Sequence, residues 1–204
     1  MTKANILVSG ATGRTGGAAI EQLLNMGKRV RAYVRSDSEK AAALRKRGVE
    51  IALGDFTNID AIRAAMEGID AAYFLYPIAP GIISAAAFFA QAAKEAGVTN
   101  PAGHEGKIYT LHGPVEMNHT EIAAAMSKVL GVKIDYAPAS IDAFRQKMEQ
   151  VYHFPPFLVQ HLTEVARNYQ AGIFAGTNDN VETITGSPAL TVQAFIEKNR
   201  GVYA

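Results

Sequence analysis

Glycines stand at even spacing in Gly10-Ala11-Thr12-Gly13-Arg14-Thr15-Gly16, directly after the apolar run Ile6-Leu7-Val8 and before a stretch of helical periodicity. Residues without a Cβ let a chain turn sharply and let a diphosphate approach bare backbone, while the amides and dipole at the mouth of a helix favour negative charge. The side chains of Arg14 and Thr15 sit where they can also reach phosphate oxygens. The Gly-x-x-Gly-x-x-Gly spacing differs from the commoner Gly-x-Gly-x-x-Gly fingerprint. Its place after the first strand of several βαβ units is what sets it apart from an ordinary tight turn.

A second group follows the next strand. Arg35 closes Arg29 to Val34 at the position where an adenosine ribose would lie. An acid there would accept from the ribose hydroxyls, whereas a guanidinium can grip a 2′-phosphate, so Arg35 favours NADP(H) over NAD(H). Asp37, two residues on, is the alternative partner for a ribose hydroxyl. After the third strand, Gly54-Asp55-Phe56 allows two readings. Asp55 can accept from the exocyclic amine of an adenine that Phe56 flanks, or it can simply open the next helix as an Asx turn. Tyr76-Pro77 ends the fourth strand at the same edge, near the nicotinamide end of such a ligand or as a plain turn.

Other chemistries find less support. His104, His112, His119, His153 and His161 show no His-x-x-x-His or His-Glu-x-x-His spacing, so no metal site is expected. There is no Gly-x-Ser-x-Gly elbow for a nucleophile. With no cysteine, disulfides, thiolate metal sites and a cysteine nucleophile are excluded together. Lys and Arg number 20 against 19 Asp and Glu, which gives no bulk charge to draw the chain to nucleic acid or a membrane. Arg45-Lys46-Arg47 reads as the solvated end of a helix, where cations suit the dipole. The start of the sequence lacks the pattern of a signal peptide, and a cytoplasmic location is expected. The uncharged stretch from Ala71 to Ala93 is broken by Pro77, Pro80 and Gly81, so it reads as strand, turn and buried helix rather than a membrane span.

The elements that must position these residues alternate regularly up to Gly97. Strands are expected at Ile6–Val8, Arg29–Val34, Val49–Leu53 and Ala71–Tyr76. Helices are expected over Arg14–Met26, after a Ser36 cap to Gly48, from Thr57 or Asn58 to Gly68, and over Ile82–Ala96. The pattern predicts an α/β fold: a Rossmann-type doubly wound parallel sheet with a small, mostly helical C-terminal part. Beyond a loop over Thr99–Gly106, short strands are expected at Lys107–Leu111 and Val132–Tyr136. Helices follow: one opened by the Asn118/Glu121 capping box and ending near Gly131, one capped by Ser140 and running through Val151, one after Pro155-Pro156 with Leu158, Leu162, Val165 and Tyr169 on one face, and a last one capped by Thr191.

Taken together, GATGRTGG, VRAYVR, GVEIALGDFTN, GIDAAYFLYP and an Ala-rich helix ending AGV resemble the NmrA-like branch of the atypical short-chain dehydrogenase/reductases. The likeness resumes at Gly103–Leu111 and runs into the C-terminal helices. It implies a core over residues 1–98 that binds NAD(P)(H), and a reduced substrate region over 99–204 packed with it as one unit. By position, Gly10, Thr12, Gly13, Arg14, Thr15 and Gly16 would hold the pyrophosphate, Arg35 the 2′-phosphate, and Asp55 with Phe56 the adenine. The family implies a reductase of quinones, dyes or small carbonyl and enone compounds, or a redox sensor that binds cofactor without turnover. The expected partner is thus a small-molecule substrate, with a homodimer as a further expectation. The chain departs from the family after Val98, where a fifth strand and the elements around the active site have no counterpart. No tyrosine is followed four places on by lysine, so the Tyr-x-x-x-Lys proton-transfer pair is missing and the catalytic residues stay unknown.

Overall fold

Parallel strands buried on both faces need apolar residues throughout and a crossover between neighbours. A computed structural model, which describes residues 5–98 and 103–203, contains four strands, β1 (Asn5–Ser9), β2 (Arg29–Val34), β3 (Glu50–Leu53) and β4 (Ala71–Tyr73), with burial deepest in β1 and β2. All pair in parallel, in the order β3-β2-β1-β4. The helices α1 (Arg14–Asn25), α2 (Glu39–Lys46) and α3 (Ile59–Met66) make the crossovers, and α4 (Ile82–Glu95) follows β4.

Alternation along β1 sends successive side chains to opposite faces. Val8 joins Ile20, Val30, Ala32, Leu44 and Val49 in one apolar cluster. Leu7 joins Ile62, Met66, Ile69 and Phe89 in the other. Two helices therefore cover each face, which is the doubly wound Rossmann arrangement. The chain runs outward from β1 to β2 and β3, then returns to place β4 on the other side of β1. That reversal opens a crevice beyond the carboxyl ends of β1 and β4, where ligands of such sheets bind.

Helix ends follow local chemistry. Asn58 caps α3 by accepting from the amides of Asp60 and Ala61. The α2 cap is Ser38, whose hydroxyl accepts from Ala41, and not Ser36 as expected: the helix begins at Glu39, so only Ser38 has its side chain beside the first-turn amides. The fourth strand is also shorter than the apolar run Ala71–Tyr76, because the Ser9 hydroxyl takes the main-chain groups of Leu75.

The chain divides into two compact units at Glu105/Gly106. The expected loop at 99–106 lies partly outside the described residues; within it Gly103 and Gly106 adopt positive φ. In the second unit α5 (His119–Leu130) packs on α9 (Val192–Lys198), and α6 (Ile141–Gln150) on α7 (Pro156–Gln170). Asn118 and Glu121 form the full capping box, and Ser140 and Thr191 cap α6 and α9. The buried face of α7 carries Val159 and Thr163. Leu158, Leu162 and Val165 are half-buried beside it, and Tyr169 is exposed. A short α8 (Asn180–Thr185) had no sequence signal.

Neither Lys107–Leu111 nor Val132–Tyr136 forms a strand, contrary to expectation. The backbone groups a ladder would use are taken by side chains instead. The Thr110 carbonyl accepts from the amides of Asn178 and Asn180. The Ser127 hydroxyl accepts from the Ile134 amide at 2.8 Å and lies 3.1 Å from its carbonyl. No helix among the described residues is long and apolar enough to cross a membrane.

Candidate functional site

The loop between β1 and α1 depends on three glycines in three different ways. Gly10 has φ +58°, and a Cβ there would stand 3.0 Å from the Leu75 Cβ. Gly13 donates its amide to the Gly10 carbonyl at 2.9 Å and occupies the N-cap of α1 in extended conformation. A Cβ on Gly16 would lie 2.3 Å from that same carbonyl oxygen, so only glycine lets the helix begin this close to the turn. Because Gly13 has no side chain, nothing caps the first turn of α1, and that turn carries no acid. A helix mouth of this kind, with Arg14 and Thr15 exposed beside it, suits an anion.

Ser9 joins this loop to the end of β4. Its fully buried hydroxyl accepts from the Leu75 amide at 2.6 Å and donates to the Leu75 carbonyl at 2.9 Å. The β1 ladder therefore ends at Tyr73, and a side chain takes over from the main chain. As a result Leu75, Tyr76 and Pro77 are held against the glycine loop. Tyr76 in turn donates its hydroxyl to the Pro80 carbonyl at 3.2 Å, just before α4.

The third wall follows β3. Asp55 accepts from both the amide and the hydroxyl of Thr57, at 2.9 and 2.8 Å, so the Asx turn is formed. The Thr57 amide, then its hydroxyl, hold the Asp55 carboxyl below its usual range, with the positive charge of Arg35 adding to them. The Tyr33 hydroxyl donates to the Asp55 carbonyl at 3.0 Å. Burial first, and the Asp55 charge second, push the Tyr33 phenol up to about 12. Phe56 packs edge-on against Tyr33, Phe74 and Tyr76, at centroid distances of 5.3, 5.5 and 5.5 Å.

These walls enclose a cavity of about 420 Å³, within the range of small-molecule sites. Gly10, Thr12, Gly13, Arg14, Thr15 and Gly16 line it on one side. Arg35, Asp55 and Phe56 line the second wall, and Tyr76 and Pro77 the third. These eleven residues, all named from the sequence, are thus brought to one place. Asp37 is not among the lining residues; it pairs with Arg45 at 3.1 Å. Tyr33, Val34 and Leu75, which the sequence did not mark, also line the cavity, as do Ala11 and Gly54 from within the two glycine motifs, and Ser9 lies behind it. For Tyr33 a signal was present, a lone hydroxyl in a strand otherwise set to pack its core face. For Ser9 there was none. Among the described residues no group of His, Asp or Glu is arranged to hold a metal ion.

Residues 2–101 match the sequence model of the NmrA-like family. An NAD(P)H azoreductase of Xenophilus azovorans is 22% identical over 285 aligned residues, covering 97% of this chain and 99% of the relative. Among solved structures, the NADPH-dependent quinone oxidoreductase of Escherichia coli complexed with NADPH is similar with a TM-score of 0.81 at 18% identity, over 98% of this chain and 100% of that one. The Citrobacter sp. triphenylmethane reductase complexed with NADP(H) gives 0.77 at 20% identity, over 95% and 99%. At these identities the structural likeness speaks for the fold. The sequence match and the fold agree over one region, residues 2–101, which holds the whole sheet and the glycine loop and matches the NmrA-like family.

Proposed function

We propose that this chain binds NADP(H) and is an NAD(P)H-dependent oxidoreductase acting on a quinone-like or small carbonyl or enone compound. The observation that carries the reading is the uncapped mouth of α1, where Gly10, Gly13 and Gly16 leave bare backbone facing a cavity of fitting size. On this reading the amides of that loop, with Thr12, Arg14 and Thr15, hold the pyrophosphate. Arg35 pairs with the 2′-phosphate, which favours NADP over NAD, and Asp55 and Phe56 border the adenine. Leu75, Tyr76 and Pro77 flank the nicotinamide end. The azoreductase, quinone oxidoreductase and dye reductase relatives support the class of reaction.

A bound nicotinamide supplies the hydride itself, and the protein has to orient it and exclude water. The tyrosines that line the cavity already donate their protons elsewhere, Tyr33 to Asp55 and Tyr76 to Pro80. An acceptor whose reduced anion takes its proton from solvent, as a quinone does, therefore suits this site. The test is calorimetric titration with NADPH together with NADPH oxidation over a quinone panel. Binding in the micromolar range, about −8 kcal/mol, with turnover above the free-cofactor background supports the reading.

A second reading is a redox sensor that binds cofactor without turnover. It is favoured by the azoreductase alignment, which runs over 285 residues against the 204 of this chain, so a segment of that relative has no counterpart here. Binding without turnover would select it. Absence of NADP(H) binding would remove both. β4 ends the sheet, and pairing along that edge is the route by which two copies would form a homodimer; light scattering tests it.

A further inference from the structure

Tyr33 is 2% exposed in the middle of the sheet, and its hydroxyl is a polar group placed where packing needs only a ring. Burying a hydroxyl is unfavourable unless it is hydrogen-bonded. Its partner is the main-chain carbonyl of Asp55, at 3.0 Å. The surroundings are shaped to admit this contact. A Cβ on Gly54 would stand 2.4 Å from the Tyr33 hydroxyl and 2.8 Å from its Cε2, so residue 54 must lack a side chain for the phenol to reach past it.

The contact falls at the end of the β2–β3 pairing. The Gly54 amide still bonds the Val34 carbonyl, at 3.0 Å, and beyond it the chain leaves β2 to cross over into α3. The Asp55 carbonyl then accepts from Tyr33 and, at 3.1 Å, from the Asn58 amide. Its carboxylate is fixed by Thr57. The neighbouring Phe56 ring rests edge-on against the ring of Tyr33. One tyrosine thus sets both the main chain of residue 55 and the ring of residue 56, the two residues that wall one end of the cavity.

We propose that Tyr33 is a positioning residue for the adenosine end of the dinucleotide: its buried hydroxyl holds the Asp55–Phe56 wall at the spacing an adenine requires. This rests on the dinucleotide reading above. The role is local to that end of the ligand, because Leu75 is held by Ser9, and the glycine loop is closed by its own Gly13 to Gly10 bond, neither through the Tyr33 hydroxyl.

The experiment compares the full chain with Tyr33→Phe, using two half-ligands on the same preparations: 2′,5′-ADP, which carries the adenosine end, and reduced nicotinamide mononucleotide, which lacks it. Removing the hydroxyl should weaken 2′,5′-ADP binding about fivefold, the equivalent of one neutral hydrogen bond. Reduced nicotinamide mononucleotide should bind as before, and in turnover KM for NADPH should rise with kcat unchanged. Equal weakening of both half-ligands, as from general loosening of the fold, overturns the proposal. So does unchanged 2′,5′-ADP binding. A wild-type chain that binds neither NADPH nor 2′,5′-ADP overturns the dinucleotide reading and this role with it.

Discussion

The Gly10 carbonyl oxygen lies 2.3 Å from where a Cβ on residue 16 would stand. The obstacle is main chain, which cannot swing aside as a flexible side chain can, so the loop or the helix has to move. Gly16→Ala should lower stability by about 1–3 kcal/mol, as overpacking does. It should also weaken NADPH binding by about tenfold or more, because the helix mouth is displaced from the turn. Urea denaturation and calorimetry measure the two effects on the same protein.

Arg35 stands at the end of β2 facing the cavity, while the acid nearest in sequence, Asp37, is paired with Arg45. Arg35→Ala should therefore weaken NADPH binding by about tenfold or more, the loss of a charge-assisted contact, and leave NADH binding nearly unchanged. Dissociation constants for both cofactors at one salt concentration check this. Equal losses for the two would remove Arg35 from the 2′-phosphate.

Ser9 satisfies both main-chain groups of Leu75 from a fully buried position. Ser9→Ala leaves an amide and a carbonyl without their partner and should reduce stability by about 1–3 kcal/mol, read from the urea midpoint. The effect should exceed that of a serine-to-alanine change at exposed Ser84, which makes no comparable bond.

Arg63 on α3 grips Glu95 on α4 through two bonds, of 2.7 and 3.0 Å. Its hydrogen bonds, then that of Gln91, draw the Glu95 carboxyl from 4.5 down to about 2. A carboxyl whose pKa is depressed on folding stabilises the fold above its unfolded value and loses that contribution as pH falls through the folded one. The stability difference between wild type and Glu95→Gln should thus be full at neutral pH and shrink between about 4.5 and about 2. Because the pair is exposed, it should also shrink as salt is added. Thermal melts across pH and ionic strength follow both trends.

The first half of the fold was legible because its signals are local. Apolar runs mark the inner strands, Asn58 announces a helix, and glycines close the turns. The residues that line the cavity were legible for the same reason, since each sits at or just beyond the end of a strand whose position the periodicity gives. What periodicity does not carry is a partner distant in sequence. Lys107–Leu111 and Val132–Tyr136 have strand composition, yet Asn178 and Asn180 take the Thr110 carbonyl and Ser127 takes the main-chain groups of Ile134, in place of a neighbouring strand. Ala71–Tyr76 continues apolar past the point where Ser9 ends the ladder. Gly54 was marked beside Asp55 and Phe56, but Tyr33 and its fit against Gly54 were not, because that fit depends on how β2 and β3 lie side by side.

On the proposed function, main-chain amides at the mouth of α1 grip the diphosphate of a dinucleotide. Amide resonances of the isotope-labelled chain, followed during NADPH titration, test it directly. Saturable shifts are expected, largest at Ala11 to Gly16 and next largest around Arg35 and Asp55. Amides of that loop that stay in place at millimolar NADPH would contradict it.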